Sequence, residues 1–404
     1  MSSRRIAGWQ FGFAGLVVCC LLLITARLSQ ADDQDDKAQP TDVAGAAEKD
    51  AQGTEDPHAD TPEAMLKRLE ELKVERPVGE NRKELSDSMR DVQRKVAKMA
   101  DKILAANPDE ETRKTAIKEK MVALAKLYQM GDKKALDRLF ETSRKLVDDP
   151  DKDIAGTARS IVFQVRLQRL MDGDVAQAAA LAAEAKKAVK ANPDSLTAFF
   201  DIALKVGHAL ETVEEARDLA VSYYRDLIPL IEKSKNEQIA EYAETFTGVL
   251  RRLSLPGKPI EFRGVLVGGE KFDPKTLEGK IVLVDFWATW CGPCLEELPN
   301  VRLNYEKYHD QGFEVVGVTL DDDLELVANF VEEHKIPWPS LTGEGETKRG
   351  FHQPMAEYYG VYAIPQVILL DRSGKVIALN ARGEKLGELL EKLMGSPAQK
   401  KAKK

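Results

Sequence analysis

An α/β C-terminal domain, with a mixed central sheet flanked by helices, preceded by an all-α domain of helical hairpins, is the fold this sequence predicts. Three observations predict it. From about residue 62 to 255 apolar residues recur at spacings of three and four, as at Ile117, Met121, Leu124 and Leu127. The run Leu255-Pro256-Gly257-Lys258-Pro259 then breaks the helical period. Beyond it, near-continuous apolar stretches at residues 281–287 and 313–320 alternate with helical ones. Strands of that kind are buried on both faces of a sheet.

The chain has 404 residues, too many for one ordinary core. Five segments are expected. Residues 1–31 read as a signal peptide or membrane anchor. Arg4 and Arg5 precede an apolar run from residue 6 to 26, and Ser29-Gln30-Ala31 offers a small-x-small cleavage site. The same run is long enough to span a bilayer uncleaved. Residues 32–61, rich in Asp, Glu, Gln, Ala, Thr and Pro, bury too little apolar surface to fold and read as an acidic linker. Residues 62–254 form the helical-repeat domain, 255–395 the α/β domain and 396–404 a basic tail. The net charge of −8 supplies no global basic field for nucleic acid. The protein is expected to be periplasmic or otherwise extracytoplasmic, with its N-terminus a candidate anchor to the cytoplasmic membrane.

The helical block carries a longer period. Asn107-Pro108-Asp109, Asp149-Pro150-Asp151 and Asn192-Pro193-Asp194 lie 42 and 43 residues apart, and Gly131-Asp132 and Gly173-Asp174 lie 42 apart. Each unit reads as helix, Gly-Asp turn, helix, then a Pro-Asp break that caps the next helix. Such hairpins bury their apolar faces by stacking on neighbours, as in tetratricopeptide-type arrays. A further hairpin over residues 196–234 and a capping helix over 236–253 complete the block. Its surface is a candidate site for a protein partner.

In the α/β domain a β-hairpin is expected from residues 260–267 and 270–272. Helices follow at 295–309, 324–335 and 384–394, a helical turn at 355–359, a short strand at 339–341, and a hairpin from 366–371 and 375–379.

The chemistry concentrates in Val284-Asp285-Phe286-Trp287-Ala288-Thr289-Trp290-Cys291-Gly292-Pro293-Cys294. Cys19 and Cys20 sit in the N-terminal apolar run, so Cys291 and Cys294 are the remaining pair of the four cysteines. An exported protein with a single C-x-x-C pair points to redox chemistry. A helix starting near Cys291 puts that sulfur where free N–H groups and the helix dipole favour a thiolate, the attacking species in disulfide exchange. One helical turn brings Cys294 within disulfide reach. Cys291 is expected to be exposed and to attack; Cys294, one turn deeper, resolves. Gly292 is expected to relieve crowding at this turn, and Pro293 to stiffen it. Asp285, on the strand beneath, is the candidate proton acceptor for Cys294, its pKa raised by burial. Zinc would need two further ligands, and the five histidines have no ligand spacing, so no metal or cofactor is expected.

Residues 255–395 resemble the membrane-linked thioredoxin-like proteins of the TlpA/ResA type, the redoxins. The resemblance rests on the segment from Val284 to Cys294, Gly279-Lys280, Glu297, Pro299, Asp371-Arg372-Ser373-Gly374-Lys375, and an extra helix–strand pair at 324–341. It implies a thioredoxin-like fold and thiol:disulfide oxidoreductase activity. It also implies that Ile364-Pro365 is the cis-proline facing the cysteines and offering backbone to substrate, and that Trp290 flanks the nucleophile. Two positions depart from the usual pattern: Asp285, the thioredoxin choice, and Gln366, where Thr is common. The Gly-Pro pair between the cysteines leans the site toward reduction. The resulting expectation is a reductase of disulfides in exported proteins, re-reduced by a membrane electron donor. Two alternatives stand beside it. One is an adaptor whose helical repeats bind a partner. The other is a peroxiredoxin-like antioxidant, whose pattern wants a Thr and a Pro where Ala288 and Val284 stand.

Overall fold

The computed structural model describes residues 61–395. The export segment, the acidic linker up to residue 60 and the basic tail lie outside the described residues. Among the described residues no helix is long and apolar enough to cross a membrane. The chain divides into two compact units between Gln168 and Arg169.

The first unit holds α1 (Pro62–Val74), α2 (Arg82–Ala105), α3 (Glu110–Gln129), α4 (Lys133–Arg144) and most of α5 (Lys152–Met171). The periodic Pro-Asp pairs start helices here. The Asp109 carboxylate accepts the N–H groups of Glu111 and Thr112 at 2.9 and 3.0 Å, and Asp151 accepts those of Asp153 and Ile154 at 2.9 and 3.0 Å. Each satisfies donors that a helix N-terminus leaves open. Gly131 and Gly173, both at positive φ, turn the chain after α3 and α5. Leu69, Val96, Ile103, Leu124, Leu127 and Leu139 are fully buried between these helices.

The second unit begins with α6 (Ala178–Ala191). The third Pro-Asp pair behaves differently from the first two. Asp194 accepts the Lys235 N–H at 2.7 Å and the Ser234 hydroxyl at 3.1 Å. The following helix opens instead with a π-helical segment, Thr197–Ala203, which runs into α7 (Leu204–Thr212). Then come α8 (Arg217–Ile231), a single turn α9 (Glu237–Ala240) and α10 (Tyr242–Leu253). Phe199, Tyr223, Tyr224 and Phe246 are fully buried among them.

The same unit contains a six-stranded mixed sheet: β1 (Val265–Leu266), β2 (Ile281–Trp287), β3 (Phe313–Thr319), β4 (Ser340–Thr342), β5 (Gln366–Leu370) and β6 (Val376–Ala378). Its order is β1-β4-β3-β2-β5-β6. β2 runs parallel to β3 and antiparallel to β5, so the sheet is mixed, as expected. Helices α11 (Gly292–Tyr308), α12 (Leu324–Glu333), α13 (Pro354–Tyr359) and α14 (Glu384–Met394) complete the fold. Every residue of β2 except Asp285 is buried, which matches the near-continuous apolar run.

The expected hairpin at residues 260–272 does not form as two strands. Only Val265 and Leu266 make a strand, and they pair with Thr342 and Leu341 of β4; a single bridge joins Val265 to Lys271. The extended run breaks at Gly264, whose φ is +116° and where a side chain would strike the Thr342 carbonyl.

Candidate active site

β2 ends at Trp287, and a three-residue loop carries the chain to α11. Cys291 is the N-cap of that helix, in extended conformation. Its Sγ accepts the Cys294 N–H at 3.2 Å. A negative charge on this sulfur would therefore meet a backbone donor and the positive end of the helix dipole. The two cysteines form a disulfide, with their Cα atoms 5.3 Å apart. Their exposures are 4% and 7%, so Cys291 is not the exposed member of the pair that its position suggested. What separates the two sulfurs is the cap geometry. Cys291 receives the N–H, while Cys294 lies inside the helix.

The loop before Cys291 is pinned by a buried carboxylate. Asp321, 2% exposed at the end of β3, accepts the Thr289 N–H at 3.0 Å, the Thr289 hydroxyl at 2.6 Å and the Thr319 hydroxyl at 2.7 Å. Sequence reasoning passed over Asp321, because Asp321-Asp322-Asp323 reads as an acidic strand-to-helix loop. The usable signal was that an apolar strand ends in Thr-x-Asp while a Thr stands two residues before the cysteine.

Asp285 is half-buried in β2, flanked by Gly317 of β3 and Val367 of β5. Burial, and secondarily repulsion from Glu297, push its carboxyl up to about 7. Glu297 lies one helical turn beyond Cys294 in α11. Glu297 itself accepts the Gly383 N–H at 2.8 Å and the Asn300 amide at 2.6 Å.

A groove of about 410 Å³ opens beside the disulfide, lined by Pro293, Glu296, Glu297, Pro365, Arg382 and Gly383. The Ile364-Pro365 peptide is cis. Of the residues singled out in the sequence, Pro293 and Pro365 line this groove, and Ile364 is half-buried next to it in sequence. Glu296, Arg382 and Gly383 were not anticipated there. Trp290 is 38% exposed, and its ring lies 6.3 Å from that of Phe351. Gly292 is exposed, and a Cβ on it would meet nothing within 4 Å. It therefore relieves no crowding, because this turn faces outward. Among the described residues no group of three or more His, Cys, Asp or Glu side chains is arranged to hold a metal ion.

The Redoxin family pattern matches residues 254–392. Thiol-disulfide oxidoreductase ResA of Bacillus thuringiensis subsp. konkukian is 33% identical over 126 residues, covering 31% of this chain and 68% of that protein. ResA of Bacillus subtilis is 30% identical over 109 residues, covering 27% of this chain and 57% of that protein. Among solved structures, the thioredoxin domain of a thiol-disulfide oxidoreductase from Bacteroides vulgatus is 29% identical, over 34% of this chain and 97% of that one, with a TM-score of 0.31. The helices before residue 254 lie outside the family match. A sheet with this topology, a C-x-x-C pair at the start of the helix after β2, and a ResA relative matched over two thirds of its length lead to one conclusion: the chain belongs to the TlpA/ResA-type redoxins, thiol-disulfide oxidoreductases of thioredoxin-like fold.

Proposed function

We propose that Cys291 and Cys294 are the working couple of a reductase that acts on disulfides in exported proteins. The observation that carries this reading is the bonded pair at the N-terminus of α11, with a groove beside it walled by Pro293 and Pro365. In the reduced protein the Cys291 thiolate attacks one sulfur of a substrate disulfide. A mixed disulfide forms, and the other substrate sulfur leaves as a thiolate that takes up a proton. Cys294 then gives its proton to Asp285, directly or through a water, and attacks the Cys291 sulfur. The substrate leaves with both sulfurs reduced, and the Cys291–Cys294 disulfide carries the two oxidising equivalents. A membrane electron donor returns two electrons to restore the dithiol.

Asp285 suits the acceptor role because burial holds its carboxyl near neutrality, where it exchanges protons readily. The extended backbone next to Pro365 and the exposed Trp290 ring offer contact to the substrate chain. The export-type N-terminus and the single C-x-x-C pair support an extracytoplasmic site of action, with a membrane-anchored N-terminus as one arrangement.

The test is capture. Cys294→Ser protein, expressed with its export segment, is expected to accumulate mixed disulfides through Cys291 with exported proteins, released by dithiothreitol. If no such adducts form while the Cys291 thiol remains titratable, the reductase reading fails.

A further inference from the structure

The last helices of the helical block are built into the redoxin domain at the two chain segments that wall the groove. Glu211, near the end of α7, has a side chain 6% exposed and is paired with Arg252 of α10, 3% exposed. Charges this deeply buried persist only when their remaining hydrogen-bonding capacity is met. Here the redoxin domain meets it. Arg252 donates to the carbonyls of Tyr359 and Gly360 at 2.7 and 2.8 Å. The hydroxyl of Tyr362, three residues before Pro365, donates to Glu211 Oε1 at 2.6 Å, and Tyr224 of α8 shares that oxygen. On the other side, the Asn380 amide donates to the carbonyls of Glu211 and Thr212 at 3.3 and 3.4 Å. Asn380 stands two residues before Arg382.

The contact is close at the backbone as well. Gly248 of α10 lies against Gly360, so that a methyl group on either would overlap the backbone of the other's segment. This is a built interface, not a tethered neighbour. Burial, and then Glu211, hold the Tyr224 and Tyr362 hydroxyls well above their ordinary pKa, so both remain protonated donors.

We propose that Glu211 is a positioning residue for protein substrates: its carboxylate, held by Tyr362, and its backbone carbonyl, held by Asn380, fix the spacing between the Pro365 and Arg382 walls of the groove beside Cys291. The inference rests on the redox reading above and extends it to the helical block, which the family match does not reach. It separates two kinds of substrate. A folded protein disulfide must fit the groove, whereas a small aromatic disulfide needs only the sulfurs.

The experiment uses the full-length protein, reduced beforehand, with insulin and with 5,5′-dithiobis(2-nitrobenzoate) as alternative oxidants. Tyr362→Phe keeps the ring and removes the hydroxyl that donates to Glu211 and lies 2.9 Å from the Tyr224 hydroxyl. It is expected to raise the KM for insulin about three- to tenfold, the range that loss of one buried hydrogen bond gives. The rate with the small disulfide and the midpoint potential are expected to stay at wild-type values. Glu211→Gln is expected to act in the same direction and more strongly, and Tyr362→Phe decides the matter if Glu211→Gln does not fold. An unchanged insulin KM in folded Tyr362→Phe overturns the proposal, as does an equal loss toward both oxidants. Wild-type protein inert toward both would instead overturn the redox reading on which the proposal stands.

Discussion

The buried carboxylate of Asp321 accepts the backbone N–H of Thr289 at 3.0 Å, two residues before Cys291. The same group takes the Thr289 and Thr319 hydroxyls, so one side chain ties the end of β3 to the loop that delivers the nucleophile. The position of Cys291 at the start of α11 is thus set from both sides, by the helix after it and by this clamp before it.

Asp321→Ala is expected to lower stability by about 3 kcal/mol, because it strands three donors, each costing about 1–3 kcal/mol when buried without a partner, with partial relief from water. Urea unfolding followed by circular dichroism measures it. A loss below about 0.5 kcal/mol would mean that the loop is held by its packing alone.

Asp285 should leave a signature in the pH dependence of stability. Its folded carboxyl titrates near 7 against an ordinary 3.8. Over that interval the folded state binds more protons than the unfolded state, so stability falls as pH rises from about 4 to about 7 and is level above. Asp285→Asn removes this slope. The variant is expected to gain on the wild type across that window, by at most about 4 kcal/mol and by less in practice, since the residue is half-buried. Its turnover with insulin is expected to drop and to lose the inflection near pH 7. Parallel stability curves for the two proteins between pH 4 and 8 would contradict the assignment.

Two glycines separate close packing from open surface. Gly248→Ala drives a methyl into the Gly360 backbone and is expected to cost about 1–3 kcal/mol. Gly292→Ala, with nothing within 4 Å of the added carbon, is expected to shift stability by less than about 0.5 kcal/mol. Thermal denaturation of the two variants beside the wild type compares them directly.

Much of the fold was legible because its signals are local. The Pro-Asp pairs at 108–109 and 150–151 start helices through their own carboxylates, and the apolar run of β2 states its burial without reference to anything distant. The segment from Val284 to Cys294 carries strand, loop, helix cap and both sulfurs in consecutive residues. Signals failed where structure depends on partners far along the chain. The 260–272 hairpin keeps its turn and the Val265–Lys271 bridge, but its strand is cut to Val265–Leu266 and pairs with β4, some 75 residues away, because strand alternation does not name the strand it pairs with. Asp321 looks like any acidic loop residue until Thr289 is brought beside it. Glu211 and Tyr362, 151 residues apart, carry no common motif, and their hydrogen bond exists only after α7 packs on the redoxin domain. Gly292 shows the reverse: a local argument from crowding failed because the turn points to open space.

The central claim is that Cys291 and Cys294 cycle reversibly and favour reduction of substrates. The midpoint potential of this couple, measured by equilibrating the protein in dithiothreitol or glutathione redox buffers and counting free thiols, tests it most directly. The expected result is a single two-electron transition near about −270 mV, in the range of a thioredoxin-type reductant. A midpoint near about −120 mV would mark an oxidant, and the absence of any reversible transition would remove the redox function altogether.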